Sequence, residues 1–280
     1  MTLRLQPTAR AAASAVRSAL AMLVRPVDRL LTRHVALPDV TNPPVVIGHR
    51  GAPRAARENT LASALHALQA GADGVELDVQ LHGGTAWVSH DRPPPADAER
   101  LEAVLAALAG RAGRIYLDVK RPPRGGQVEA TVGLVAEAIH TTGVLEAAVV
   151  ITSPRELAVW RETAPEVALL QRWTGPRPRR TRYPVNVARR HRMRHVGLFH
   201  TGGQLGTLGR VLHPLGLVRT AAWRELPALR ELVAGNDDLR FVAFTINDPF
   251  VARIYASQGF AIGTDRPAEI RRALEAEDDG

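Results

Sequence analysis

The sequence predicts a closed α/β barrel of the (β/α)8 type, and three observations support this. Short apolar runs alternate with amphipathic stretches from about residue 45 onward, with short connections between them. Such repeated β-then-α order is typical of parallel strands joined by crossover helices. Two of the strands, 74–81 and 115–120, carry polar residues at every second position and so aim charged side chains in one direction. A chain of 280 residues with 45% hydrophobic residues is large enough for one such domain.

The first half of the barrel begins with a buried strand at 45–48 that ends at His49. A helix follows to about residue 70, and Asn59 or Thr60 is suited to be its N-cap. The segment 85–90 is expected to be a hairpin arm beside the strand at 74–81, because the sequence offers more strand candidates than eight. A helix at 101–108 and the strand at 115–120 complete this half.

The second half continues the alternation. Helices are predicted at 127–141 and 154–163, and strands at 148–152, 167–170, 196–199, 217–221, 241–246 and 260–262. Active sites of such barrels form at the carboxyl ends of the strands. The polar residues at or just past predicted strand ends are His49, Arg50, Asp118, Lys120, Thr152, Asn247 and Asp265.

Residues 1–44 are predicted to be a basic N-terminal extension, helical or disordered, in front of a barrel domain at 45–280. The part from 8 to 34 is rich in alanine and arginine, has Asp28 as its only acid, and could form a basic amphipathic helix interrupted near Pro26. A poorly ordered tail, a transit peptide and a membrane-surface helix all fit this composition. The apolar stretch 18–24 is short for a secretory signal, and no run of about 18 apolar residues predicts a spanning helix. We expect a cytoplasmic protein whose basic segment is a candidate for peripheral contact with an anionic membrane.

The charged composition narrows the chemistry. The chain has no cysteine, which excludes thiol catalysis and cysteine zinc sites. Its net charge is +8, its positive charge is nearly all arginine, and Lys120 is the only lysine. Lysine is a compact point charge that fits a tight pocket beside a carboxylate or phosphate, where a planar guanidinium does not.

Three carboxylates form the candidate metal site. Glu76 and Asp78 lie two apart on one strand, and Asp118 lies on the next barrel strand. An all-oxygen donor set favours Mg²⁺ or Ca²⁺ over zinc. The alternative is an edge strand with one wet face, which produces the same polar alternation.

Two histidines and two cations complete the candidate site. His49 and His90 end separate strand-like segments and are suited to act as a general acid and base. Arg50 and Lys120 would neutralise an anionic group between them. Cations together with a histidine pair suit a phosphodiester, whose non-bridging oxygens need positive partners and whose leaving alcohol needs a proton.

Eight short motifs then occur in one order between about residues 45 and 268. They are Gly48-His49-Arg50-Gly51, Glu58-Asn59-Thr60, the run 71–79, Val88-Ser89-His90-Asp91, the run 101–105, Leu117-Asp118-Val119-Lys120, Phe244-Thr245-Ile246-Asn247 and the run 263–267. This series resembles the glycerophosphodiester phosphodiesterases of the PLC-like phosphodiesterase superfamily, whereas the middle of the chain, about 167–235, matches them poorly.

The resemblance implies a (β/α)8 barrel that hydrolyses a glycerophosphodiester to glycerol 3-phosphate and an alcohol with one divalent cation. It implies Glu76, Asp78 and Asp118 as metal ligands and His49 and His90 as the acid/base pair. Arg50 and Lys120 would bind the substrate phosphate. Attack by a neighbouring substrate hydroxyl and attack by water are both compatible with the motifs.

The sequence departs from the family pattern at four places. Asp118 stands where the family usually has Glu, Phe244 stands in place of Trp, and Arg57 in place of Pro. Only 26 residues separate Asp91 from Asp118, because the usual insertion is nearly absent. Sphingomyelinase D-like phospholipases resemble this chain in having Asp at the position of Asp118. A phospholipase D-like enzyme acting on lysophospholipids at a membrane is therefore the alternative. A non-catalytic anion-binding barrel is a further alternative.

The segment 172–194 is strongly basic, with nine arginines in 23 residues. A solvated surface in an arginine-rich chain and a membrane-facing patch both fit this composition. We do not expect nucleic-acid binding, because aromatic residues are few and no nucleic-acid motif is present. The oligomeric state is not indicated.

Overall fold

The computed structural model describes residues 23–40, 44–120, 128–153, 156–173, 183–199 and 217–276. Their strands are β1 (Val46–His49), β2 (Gly74–His82), β3 (Thr85–Val88), β4 (Glu99–Arg100), β5 (Arg114–Val119), β6 (Ala148–Thr152), β7 (Ala168–Trp173), β8 (His195–Phe199), β9 (Arg240–Phe244) and β10 (Phe260–Thr264). Their helices are α1 (23–32), α2 (Leu61–Gln69), α3 (Leu101–Leu108), α4 (Val128–Thr141), α5 (Leu157–Thr163), α6 (Tyr183–Arg190), α7 (Val218–Val233), α8 (Pro249–Ala256) and α9 (Pro267–Glu275).

Eight parallel strands close into a barrel, which confirms the predicted fold class. The sheet runs in the order β1, β10, β9, β8, β7, β6, β5, β2, and the pairing of β1 with β2 closes the ring. The remaining strands, β3 and β4, form an antiparallel arm on β2, so the hairpin arm predicted at 85–90 is confirmed.

The barrel strands are apolar on both faces, as parallel strands covered by helices require. Residues such as Val75, Leu77 and Leu117 face outward into a large core shared with the helices. The opposite faces meet inside the barrel, where a second, smaller apolar cluster fills the interior. Its members are Ile47, Tyr116, Val149, Ile151, Leu170, Val242 and Phe244. The charged residues of β2 and β5 share the parity of this inner cluster.

The structure corrects two details of the sequence prediction. The segment 217–221, predicted as a strand, is the start of α7. Its apolar residues continue at the three- to four-residue spacing of a helix through Leu226, Leu229 and Leu232, which are all buried. This helical spacing over 16 residues explains why the segment is a helix and not a strand. Residues 23–32 form a helix that includes Pro26, where an interruption is predicted.

Two of the predicted segments are described only in part. In the basic segment 172–194, four arginines at 177, 179, 180 and 182 lie outside the described residues, whereas Arg189 pairs with Asp238 at 2.9 Å. The division into an extension at 1–44 and a barrel domain at 45–280 stays a prediction. Among the helices that the structure describes, none is both long and apolar enough to cross a membrane.

Candidate active site

Three carboxylates converge inside the carboxyl-terminal end of the barrel. β2 and β5 are adjacent and parallel, and their register places Asp78 directly opposite Asp118. Glu76 lies one inward-facing position earlier on β2. Glu76, Asp78 and Asp118 are only 2%, 1% and 5% exposed, and one oxygen of each lies within 4.8 Å of the others. The edge-strand alternative is therefore wrong, because both strands are central in a closed barrel.

Lys120 lies among these carboxylates. Its Nζ contacts Asp78 Oδ1 and Asp118 Oδ2, and its backbone N–H donates to the carbonyl of Val79 at 2.8 Å. Burial lowers the pKa of Lys120, but the neighbouring carboxylates of Asp118 and Asp78 outweigh that effect and raise it above its ordinary value. The only lysine of the chain is thus a charged ammonium held between two acids.

Arg50 reaches the same carboxylates from the loop after β1. Its backbone N–H donates to Glu76 Oε2 at 3.0 Å, and its Nε lies 3.1 Å from Asp78 Oδ2. Its Nη1 donates to Glu58 Oε1 at 2.9 Å. The backbone of Arg50 is left-handed, with φ of 55°, so the chain turns sharply here and presents both its N–H and its guanidinium to the acids.

The electrostatics of the cluster favour a bound cation. Burial raises the pKa of Glu76 to about 7, and the adjacent Asp78 carboxylate raises it in the same direction. The pKa of Asp78 falls below its ordinary value, because Lys120, Arg50 and Asn59 outweigh its burial. Glu76 has no comparable ion pair with Lys or Arg among the described residues. Three buried carboxylates that offer only oxygen donors therefore fit one divalent cation.

His49 is held at the cluster by residues from the opposite end of the chain. Its Nδ1 and Asp265 Oδ1 are 2.7 Å apart, and its Nε2 lies 3.9 Å from Glu76 Oε2. Asp265 is itself fixed by Asn247, whose Nδ2 donates to Asp265 Oδ2 at 2.6 Å. Burial lowers the pKa of His49, but Asp265 and Glu76 outweigh it, and the pKa is raised overall.

Among the described contacts, His90 makes no hydrogen bond or ion pair with this cluster. Its side chain is 47% exposed, and its Nδ1 lies 3.2 Å from Asp91 Oδ1. The backbone carbonyl of His90 accepts a hydrogen bond from Gln80 Nε2 at 2.7 Å, which fixes the residue beside the carboxyl end of β2. The structure thus brings together six of the seven candidate residues and leaves His90 on the arm at their rim.

Two supporting residues were not assigned to the site from the sequence. Asn59 is buried, and its side chain hydrogen-bonds to Asp78, whereas the sequence suggested it only as a helix cap. Thr60 is the residue that caps α2, accepting from the Ser63 N–H at 3.1 Å. Asp265 was noted as a strand-end residue without a role. The position of Asp265 after β10 was the signal that could have paired it with His49, because β10 is the neighbour of β1 in the closed ring.

The sequence matches one family model in its first half. The model of the glycerophosphoryl diester phosphodiesterase family matches residues 49–101, a range that contains His49, Arg50, Glu76, Asp78 and His90. No curated protein matches the chain significantly.

Solved structures share the fold at low sequence identity. A glycerophosphodiester phosphodiesterase from Parabacteroides distasonis is 16% identical, with a TM-score of 0.63 over 83% of this chain and 97% of that one. One from Agrobacterium tumefaciens is 22% identical, with a TM-score of 0.59 over 83% and 100% of the two chains. A phosphodiesterase from Oleispira antarctica, solved with the product sn-glycerol 3-phosphate, is 21% identical, with a TM-score of 0.59 over 83% and 97%.

Proposed function

We propose that the chain is a member of the glycerophosphoryl diester phosphodiesterase family, whose model matches residues 49–101, and that it hydrolyses a small glycerophosphodiester to glycerol 3-phosphate and an alcohol. The observation that carries this proposal is the convergence of three buried carboxylates with Arg50 and Lys120 at the carboxyl-terminal end of the barrel. The product bound to the Oleispira antarctica phosphodiesterase supports the same class of product.

We infer that Glu76, Asp78 and Asp118 hold one divalent cation, Mg²⁺ or Ca²⁺. When bound, such an ion stabilises negative charge on the phosphate oxygens and on the oxygens that attack and leave. The protein supplies further positive charge from the Arg50 guanidinium and the Lys120 ammonium, which we assign to the substrate phosphate. Both already contact carboxylates that carry negative charge, so the same side chains are placed to interact with an anionic ligand.

We assign proton transfer to His49 and His90. In the reaction an oxygen nucleophile gives its proton to one histidine and forms a bond to phosphorus, the bond between phosphorus and the alcohol oxygen breaks, and that oxygen takes a proton from the other histidine. Asp265 holds the Nδ1 side of His49, which leaves Nε2 to exchange a proton on the side of the carboxylates. His90, at the rim, is the partner we assign to the other side of the reacting phosphate.

A phospholipase D-like activity on lysophospholipids is the second candidate. It is favoured by Asp118, which stands where the family usually has Glu, and by the short connection between Asp91 and Asp118. Without a longer insertion there, a substrate with a bulky alcohol group meets less protein at the rim.

The decisive experiment measures hydrolysis by metal-stripped protein with Mg²⁺, Ca²⁺ or neither added back. The substrates are glycerophosphocholine, glycerophosphoethanolamine and lysophosphatidylcholine. The test variant is Asp78→Asn, and the matched control is Asp238→Asn, which alters a surface carboxylate paired with Arg189. We expect metal-restored release of glycerol 3-phosphate, loss of turnover in Asp78→Asn and normal turnover in the control.

Each other result overturns a stated part of the proposal. Activity confined to lysophosphatidylcholine would transfer the assignment to the phospholipase D-like candidate. Metal binding without turnover of any substrate would favour an anion-binding barrel. Full activity of Asp78→Asn would exclude the proposed metal site. For the proton-transfer assignment, His49→Ala is expected to lose far more rate than metal affinity.

A further inference from the structure

A cavity of about 350 Å³ lies beside the candidate active site, at the carboxyl-terminal end of the barrel. Its lining comes from the loop after β9 at 245–249, from Arg266 after β10, and from α1 and the first turn of α7. Asn247 lines this cavity and also donates to Asp265, the partner of His49. Only the side chains of Asn247 and Asp265 therefore separate the cavity from the histidine of the candidate site.

The acidic residues that line this cavity already have partners. Asp248 Oδ2 accepts from Arg219 Nε at 3.0 Å, and Glu269 Oε2 accepts from Arg266 Nη1 at 3.3 Å. The third acid, Asp28, is buried, and its Oδ2 accepts from the Arg219 N–H at 2.7 Å in the first turn of α7. A helix N-terminus carries partial positive charge, so it compensates a carboxylate. Arg219 and Arg266 are therefore used to compensate acids.

Two further arginines line the cavity without such a partner. Arg25 and Arg29 make no ion pair and no side-chain hydrogen bond with any residue that the structure describes. They lie four positions apart on α1, where side chains are neighbours and like charges repel. Because the three acids are already compensated, Arg25 and Arg29 give the cavity an excess of positive charge. An anion bound between their guanidinium groups would remove this repulsion.

A phosphate group suits two guanidinium groups better than a carboxylate does. Each guanidinium presents its donors as a planar fork that matches two oxygens of a phosphate. A phosphate monoester offers three acceptor oxygens and up to two negative charges, so one phosphate can pair with Arg25 and Arg29 together. A carboxylate has two oxygens and a single charge, which one guanidinium already satisfies. The chemistry of the cavity therefore favours a phosphorylated ligand.

The position of the cavity relates this ligand to the substrate, and the inference rests on the proposed hydrolysis. We propose that the alcohol group of the substrate carries a second phosphate, which Arg25 and Arg29 bind while the diester lies at the three carboxylates. The alcohol then extends from His49 past Asp265 and Asn247 into the cavity. The substrate is a glycerophosphodiester of a phosphorylated alcohol. Only the bond between the diester phosphorus and the alcohol oxygen breaks, so the second phosphate leaves with the alcohol.

The test compares glycerophosphoinositol with glycerophosphoinositol 4-phosphate, which differ only in the second phosphate. The wild type with Mg²⁺ or Ca²⁺ is expected to prefer the phosphorylated substrate about tenfold or more in kcat/KM, through a lower KM that rises with added salt. Arg25→Gln/Arg29→Gln is expected to lose most of this preference. Arg25→Lys/Arg29→Lys retains the charge and should retain part of it. The matched control, Arg111→Gln/Arg230→Gln, removes two charges from exposed positions outside the cavity and should keep the full preference.

Binding measured without turnover separates this proposal from the proposed hydrolysis. Calorimetry follows the binding of both compounds to Asp78→Asn, with and without Arg25→Gln/Arg29→Gln. If the wild type hydrolyses neither compound, tighter binding of the phosphorylated one that requires Arg25 and Arg29 would keep the phosphate site and overturn the hydrolysis. Equal kcat/KM for both compounds in the wild type, or equal binding, would overturn the phosphate site alone. A preference that persists in Arg25→Gln/Arg29→Gln would also overturn it, because another group would then bind the second phosphate.

Discussion

Asn59 and Asp78 are joined by two hydrogen bonds that use both ends of the Asn59 amide. Asn59 Nδ2 donates to Asp78 Oδ2 at 2.9 Å, and the Asp78 N–H donates to Asn59 Oδ1 at 2.9 Å. The side chain therefore fixes both the carboxylate of Asp78 and the strand that carries it. Asn59 has a left-handed backbone with φ of 56°, a conformation that asparagine tolerates better than most residues.

Asn59→Asp tests whether this support matters for the metal. The substitution keeps the shape of the side chain, but it places a carboxylate against Asp78. Loss of a supporting hydrogen bond to a metal ligand typically weakens metal affinity about 10–100-fold, and we expect a loss in that range. Titration of apo protein with Mg²⁺ by calorimetry measures it. Asn236→Asp is the control, at a buried asparagine that donates to the carbonyls of Leu232 and Ala234 and accepts from Arg189 instead, and it should leave metal affinity unchanged.

Metal affinity is expected to rise with pH through the neutral range. Glu76 must lose its proton to bind a cation, and burial raises its pKa to about 7. Below that value a proton competes with the metal, so affinity should strengthen by up to about tenfold per pH unit and then level off. Calorimetry in two buffers of different ionisation enthalpy detects the released proton. Glu76→Gln is the control, in which no proton should be released from position 76. A metal affinity of the wild type that does not change with pH would contradict the raised pKa of Glu76.

His195 is expected to weaken the fold in acid. Burial, together with the nearby guanidinium groups of Arg114, Arg240 and Arg194, lowers its pKa to about 4. The unfolded chain takes up a proton near the ordinary value of 6.5, whereas the folded chain does not, so stability falls as the pH drops from 6.5 towards 4. The loss between about pH 7 and about pH 5 should be about 2 kcal/mol.

His195→Leu should remove this part of the acid sensitivity. The measurement is the free energy of unfolding in urea at both pH values, for the wild type and the variant. His82→Leu, at an exposed histidine that ends β2, is the matched control. Equal acid sensitivity in His195→Leu and the wild type would show that His195 is not responsible.

Gly263 gives Phe244 the room to stand beside His49. A Cβ added at Gly263 would lie 2.0 Å from Phe244 Cδ1, and the Phe244 and His49 rings are 6.2 Å apart. Gly263→Ala is therefore expected to displace the ring, to cost about 1–3 kcal/mol of unfolding free energy and to lower turnover.

The compensating change Phe244→Leu should recover part of that loss, which a double-mutant cycle of unfolding free energies measures. Gly133→Ala is the matched control, since its Cβ would meet nothing within 4 Å in α4. In the control the same substitution should stabilise the helix by about 1 kcal/mol. If both variants changed stability alike, crowding against Phe244 would not be the cause.

The inward-facing acids were predictable because a strand has a period of two residues. That period placed Glu76 and Asp78 on one face, and strand-end position placed His49, Arg50 and Lys120 at one rim. The pairing of side chains was not predictable in the same way. Asp265 meets His49 across 216 positions of sequence, and only the closure of β10 onto β1 brings them together.

Lys120 lies directly after β5 among the carboxylates, while its predicted role at the substrate phosphate stays a prediction. Its position after β5 put it in the site, but the direction of its ammonium depends on where the flexible side chain finds negative charge. In the structure that charge belongs to Asp78 and Asp118. The prediction of a strand at 217–221 was wrong for another reason. A five-residue apolar run cannot distinguish a strand from the first turns of a helix, and here it is the start of α7.

The filled interior of the barrel has a consequence for how molecules enter and leave. Side chains including Ile47, Tyr116 and Val149 occupy the space beneath the carboxylates, so among the described residues the candidate site has a floor, and its opening is at the carboxyl-terminal end of the barrel. Substrate and both products must use that same opening, and the order in which the products depart becomes part of the kinetics. The product that remains longer blocks the next substrate, so it should act as a competitive inhibitor, and viscosity should slow turnover when that departure is the slowest step.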